Sequence, residues 1–307
     1  MGWSMARLVL GAATALTLPT YAAPIFLTEW NVCSAGGRPY GVTTGGGAVY
    51  VTDQVSGVLE KYSSDGVSLG QLVTGLGYPC GIAVATDGTI YIVEHLGARV
   101  SRWSSTGVPL GVLDGSFDHP TGIALDPDGT VYVADTGNDR IQKFTPSGEF
   151  LESWGARGGN PGQLLNPYGL VVDASHRVYV TEFLGNRVQK FTSTGDLLGV
   201  LAGVGVDDGQ VITPHGIALD AGGDVYIADN GNARIQILSA EGHFVDKWGV
   251  RGNGPSQFGE DSPTDIAISA AGDIFVVDRA NCRIEKFAGS GVGVVPNSWS
   301  GVKALYR

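Results

Sequence analysis

Residues 129–155 read GTVYVADTGNDRIQKFTPSGEFLESWG, and the fold follows from how this stretch is built. Val131 to Ala134 alternates β-branched and aromatic residues, the pattern of a half-buried strand. Asp135-Thr-Gly-Asn138 follows, rich in residues that hydrogen-bond their own backbone or tolerate positive φ. Ile141 to Phe144 is a second strand, Pro146-Ser-Gly148 a turn, and Phe150 to Trp154 a third strand. Such a unit exposes two apolar sheet faces and needs copies of itself on either side to cover them.

Six copies are present. An aromatic residue stands three places before an acid at Tyr50, Tyr91, Tyr132, Tyr179, Tyr226 and Phe275. The acids are Asp53, Glu94, Asp135, Glu182, Asp229 and Asp278, and five residues further on come Arg99, Arg140, Arg187, Arg234 and Arg283. The first copy alone departs, with Val58. A proline opens each unit at Pro39, Pro79, Pro120, Pro167, Pro214 and Pro263, with gaps of 40, 41, 47, 47 and 49 residues. A period of this length with four strands per unit predicts an all-β fold, a six-bladed β-propeller of four-stranded antiparallel blades.

The segments PTGIALDPDGTVYVADTGNDRIQKF from Pro120 and PHGIALDAGGDVYIADNGNARIQIL from Pro214 resemble the NHL-repeat family over residues 26–291. The resemblance implies the propeller fold. Its implications for function are broader, because the family includes interaction modules, RNA binders and some lyases. It also places the residue between Pro and Gly of each opening at the mouth of the central channel. Here these are Tyr40, Cys80, Thr121, Tyr168, His215 and Thr264, a variation that a ligand-reading ring would show and that neutral drift would show as well.

Among the 307 residues there are 48 glycines, which suits many tight turns, and a formal net charge of -11, which repels phosphate backbones and argues against nucleic acid as a partner. Residues 1–22 have the form of a secretory signal, with Arg7 ahead of an apolar run from Leu8 to Leu18 that is too short to span a bilayer. Cleavage is expected between Ala22 and Ala23, leaving a propeller over 23–291 in the periplasm or outside the cell. The tail, 292–307, carries Trp299, Val302, Leu305 and Tyr306 at helical spacing and reads as a short amphipathic helix against the propeller surface.

Export permits disulfides, and the chain has three cysteines, Cys33, Cys80 and Cys282. Pro24 to Trp30 reads PIFLTEW, like the fourth strands FLESW and FVDKW of later units, while the sixth unit lacks a fourth strand of its own. The N-terminal strand is therefore expected to complete the last blade, antiparallel to the strand beginning at Arg283. That pairing brings Cys33 to Cys282 and leaves Cys80, one blade further round, free. Three unpaired thiols are the alternative.

The repeated acids, with their arginines, serve best as loop staples: Asp53, Glu94, Asp135 with Arg140, Glu182 with Arg187, Asp229 with Arg234, and Asp278 with Arg283. An enzyme has no use for six copies of one catalytic acid. The zinc lyases of this fold place three histidines in Pro-His openings, and only His215 matches; one histidine does not make a three-nitrogen site. No Gly-x-Ser-x-Gly or phosphate-cradling loop occurs. The chain thus reads as an exported, monomeric binding scaffold without a cofactor. Protein, peptide or glycan is expected at the rim that bears the openings, where Arg99, Phe183, Arg157 and Arg251 join the six mouth positions. The competing reading is a lyase or lactonase-like hydrolase with zinc or calcium at the channel mouth, His215 being the one candidate ligand.

Overall fold

The computed structural model describes residues 24–33 and 36–289. The leader 1–22 and the tail helix expected over 292–307 lie outside the described residues. Within them, six four-stranded antiparallel sheets stand around a central channel as a propeller. Blade 3 is typical: Ile123–Leu125 nearest the axis, then Val131–Asp135, Arg140–Phe144 and, outermost, Phe150–Trp154.

Burial is greatest in the second strand of each blade and falls toward the outer edge, and the residue types follow it. The second strand is wholly buried in blades 1 to 5, as in Ile90–Glu94, Val178–Glu182 and Val225–Asp229, and in blade 6 it is buried apart from Asp273 at its start. It packs on both faces against neighbouring blades, so both of its alternating side-chain sets are apolar. Tyr132, Phe191 and Leu170, for example, join blades 3 and 4 in one cluster. The outer strands carry exposed residues such as Leu69, Leu110 and Leu151.

The ring closes as the sequence predicts. Ile25–Asn31 pairs antiparallel with Arg283–Ala288, and the last sheet runs, from the outside in, through the N-terminal strand, Arg283–Ala288, Asp273–Asp278 and Asp265–Ile268. Trp30 packs on Phe275 within the blade and on Tyr62 of the next. Cys33 and Cys282 are bridged with their Cα atoms 5.4 Å apart, and Cys80 is a buried free thiol. The Gly-rich connections between blades hold more structure than their composition suggests. Gln210–Val211 adds a short parallel strand to blade 4, and Val250–Arg251 pairs in parallel with Gln257–Phe258. These hairpin-like excursions satisfy their own backbone groups where they leave the sheet.

Candidate functional site at the channel mouth

Each first strand starts, and each second strand ends, on the same face of the ring, so the openings and the acid-bearing loops share one rim. The acids are fully buried there, and each draws in the chain just ahead of its own opening. Glu94 accepts from the Gly77 amide at 2.8 Å, Glu182 from Leu165 at 2.7 Å, Asp229 from Ile212 at 2.8 Å and Asp278 from Gly259 at 3.0 Å. The arginines complete the staple from the other side. Arg99 donates through Nε and Nη2 to both oxygens of Glu94 at 2.9 and 2.8 Å. Arg187 grips Glu182 in the same way and also donates to the carbonyls of Gly159 and Gln163. Blade 1, with Val58 in place of the arginine, substitutes the Val55 and Ser56 amides on Asp53 Oδ1 and leaves Oδ2 without a partner.

The glycine of each opening has a steric cause. A Cβ on Gly41, Gly81, Gly122 or Gly169 would lie 2.2, 2.4, 2.1 and 2.4 Å from the carbonyl oxygen of Cys80, Thr121, Tyr168 and His215 respectively, each in the next blade. Only glycine lets the inner strands approach this closely. Blade 6 has Asp265 at this position. Its Oδ2 accepts from the Val42 amide of blade 1 at 2.9 Å and its Oδ1 from the Ile266 amide, so the seam between last and first blades is closed by a carboxylate. Burial pushes the Asp265 carboxyl up to about 7, against the two amide bonds that lower it.

Below Asp265 runs a cavity of about 290 Å³, walled by the apolar inner strands. Above it the channel narrows to a waist of about 30 Å³ lined by Tyr40, Tyr168 and the opening glycines. The six mouth positions converge there, but as a plug rather than an open ring. Cys80, Thr121, His215 and Thr264 are all nearly inaccessible. Thr121 and Thr264 turn sideways, donating to the carbonyls of Tyr168 and Tyr40 in the following blades, both at 3.0 Å. Cys80 Sγ accepts from Gln54 Nε2, and burial drives its thiol up to about 12, so it is no nucleophile at neutral pH.

The remaining three form an aromatic cluster across the axis. His215 stacks on Tyr168 with ring centroids 4.6 Å apart, Phe183 lies 5.4 Å from His215, and Tyr40 lies 6.3 Å from His215 and 6.5 Å from Tyr168. Both ring nitrogens of His215 are buried without a hydrogen-bond partner. Burial, helped by the positive charge of Arg279, pushes its pKa down to about 3, so the imidazole is neutral. Arg279 itself lies over Tyr40, its guanidinium carbon 5.3 Å from the ring centroid.

The other rim candidates stand apart from this cluster. Arg157 pairs with Asp139 at 3.1 Å, and Arg251 with Glu260 at 3.5 Å, both largely exposed on the connections between blades. Arg279, Asp265 and Gln54 were not among the expected site residues, although Asp265 stands out in the sequence as the one opening with an acid in place of glycine. A signal for two of them exists. The residue directly after each repeated acid is Gln54, His95, Thr136, Phe183, Asn230 and Arg279, a position as varied as the middle of the openings. Several of these side chains reach back to the mouth, as His95 Nδ1 does to the Pro120 carbonyl.

A plugged channel whose cluster mixes aromatic rings with an unpartnered imidazole invites comparison with other propellers. The sequence profile of the virginiamycin B lyase family matches residues 25–237, and an NHL-repeat profile matches 261–287. The chain belongs to the virginiamycin B lyase family. None of the curated proteins matches it. Among solved structures it is similar to a streptogramin B lyase at 16% identity, over 87% of this chain and 98% of that one, with a TM-score of 0.64. Virginiamycin B lyase from Staphylococcus aureus aligns at 16% identity over 82% of this chain and 81% of that one, with a TM-score of 0.59. A putative gluconolactonase aligns at 13% identity over 87% and 92%, with a TM-score of 0.66. At these identities the likeness establishes a shared fold.

Metal-capable side chains lie elsewhere. Among the described residues, Asp126, Asp128 and His176 have ligand atoms within 4.8 Å of one another. They sit in turns on the face opposite the mouth, where Asp126 Oδ1 already caps the amides of Asp128 and Thr130.

Proposed function

We propose that the protein is an exported propeller that binds a small molecule or a segment of a partner at the channel mouth and acts as a scaffold. His215 carries this reading. A buried imidazole with both nitrogens unpaired costs free energy in the unliganded protein and recovers it when a ligand supplies a partner. It lies among Tyr168, Phe183 and Tyr40, apolar faces of the kind that line small-molecule sites. A protein, peptide or glycan partner then extends over the rim toward Arg157 and Arg251. Export is supported by the Cys33–Cys282 bridge, since such bonds persist in oxidising compartments, and by the leader-like residues 1–22. Among the described residues no helix is long and apolar enough to cross a membrane.

Family membership favours a second reading, lyase or lactonase-like catalysis at the same mouth. A solved relative is a catalytically inactive histidine-to-alanine variant of the Staphylococcus aureus enzyme with quinupristin. Here the one histidine on the axis is held neutral with a pKa near 3, too weak a base to take up a proton efficiently at neutral pH. The Arg279 cation beside it opposes a metal dication. Incubation of the purified protein with quinupristin, followed by chromatography, separates the readings. Binding without loss of quinupristin, or no binding at all, fits the scaffold. Turnover, or stoichiometric zinc or calcium lost on His215→Ala, would replace it with the enzyme.

A further inference from the structure

Arg279 has no counter-charge. In a chain with 30 acids and 19 lysines and arginines, it takes part in no ion pair among the described residues. Its Nε is buried and without a hydrogen-bond acceptor. The five arginines of the repeat, by contrast, are all matched to an acid. The charge is also central: it lies against the Tyr40 ring and is felt by His215, Cys80 and Tyr168, which belong to three different blades.

We propose that Arg279 anchors the carboxylate of a small aromatic monocarboxylic acid seated in the channel mouth. The proposal rests on the reading of the mouth as a binding site and names its ligand class. A buried Nε–H beside an Nη–H forms a fixed fork that a planar carboxylate takes side-on. Glu94 takes Arg99 in this way at 2.9 and 2.8 Å, so the arrangement already occurs in the fold. A single cation with a neutral imidazole beside it matches one negative charge. A phosphate dianion would meet one compensating charge inside a protein of net charge -11. The half-buried rings of Phe183 and Tyr168, 5.5 Å apart, offer the apolar side on which a ligand ring packs.

Benzoate, neutral benzamide and inorganic phosphate test this on the whole protein, with ¹⁵N NMR of arginine Nε–H groups and of the aromatic signals as readout. The Arg279 signal is assigned by its loss in Arg279→Gln. Benzoate should shift it and bind at least tenfold more tightly than benzamide, Arg279→Gln should reduce benzoate to the level of benzamide, and phosphate should not compete. Equal binding of benzoate and benzamide, unaffected by Arg279→Gln, overturns the carboxylate anchor and leaves the mouth as a site. Displacement of benzoate by equimolar phosphate overturns the monocarboxylate in favour of a general oxyanion site. If neither organic probe moves the Arg279 signal or the aromatic signals, the anchor and the mouth reading fall together. The benzoate–benzamide comparison needs only the wild-type protein, so it stands even if the variant misfolds.

Discussion

His215 and Asp265 stand in the first strands of adjacent blades, and they respond to acid in opposite directions. The His215 pKa falls from 6.5 to about 3 on folding, so its contribution to stability is complete above pH 6.5 and is lost as the pH falls toward 3. The Asp265 pKa rises from 3.8 to about 7, so its contribution is complete below pH 3.8 and is lost as the pH rises toward 7. Between about pH 4 and 6.5 these two slopes, each up to about 1.4 kcal/mol per pH unit, offset one another, while Glu285, also pushed up to about 7 by burial, adds a further slope of the Asp265 sign. Relative to the wild type, Asp265→Asn should therefore lose stability as the solution is acidified across this window. His215→Gln should show the reverse change relative to the wild type. Urea denaturation at several pH values measures both, and parallel curves for the two variants would show that the axis groups do not titrate in this way.

The staples differ in depth from blade to blade, which grades their expected strength. The Arg187 side chain is only 10% exposed and satisfies Glu182 together with carbonyls of the long connection before Pro167. Arg187→Ala leaves a buried carboxylate without its partner and should cost about 3–5 kcal/mol. The Arg99 side chain is 51% exposed, and Arg99→Ala should cost about 1 kcal/mol or less by the standard of solvent-screened pairs. Thermal unfolding of the two variants tests the ranking; equal losses would mean that the loops are held by their backbone bonds alone. The element scale is also where the chain was most legible. The Tyr/Phe-x-x-Asp/Glu spacing and the prolines located all six second strands, with the arginine five residues on in five of them, because strands packed on both faces tolerate few residue types. The parallel pairs of the connections went unread, although Gln163, Gln210 and Gln257 recur in them, each five residues after a glycine and each accepting a loop amide through Oε1.

Closure belongs to the whole molecule. The disulfide spans 249 residues and pins Ile25–Asn31 to the last blade, where the Val32 amide also donates to the Cys282 carbonyl. By the chain-entropy argument its removal costs up to roughly 5 kcal/mol. Cys33→Ser, and the wild type under reductant, should both melt at markedly lower temperature with the sheet spectrum retained below the transition. Deleting residues 24–31 goes further, since it bares the edge of Arg283–Ala288, and that protein should aggregate. Unchanged melting on reduction would mean that strand pairing alone holds the ring.

Residue pattern alone specifies six blades, the strand that crosses from one end of the chain to the other, the disulfide and the free Cys80. All of these follow from periodic burial and from strand direction, which are written in residue type and spacing. The tertiary structure decided what stands at the axis. There, residues from six blades more than 200 positions apart meet, and each was chosen for its neighbours across the channel rather than for its own strand. Whether Tyr40, Tyr168 and His215 would line an opening or fill it, and whether Arg279 would find an acid, depended on distances between blades that no repeat period records.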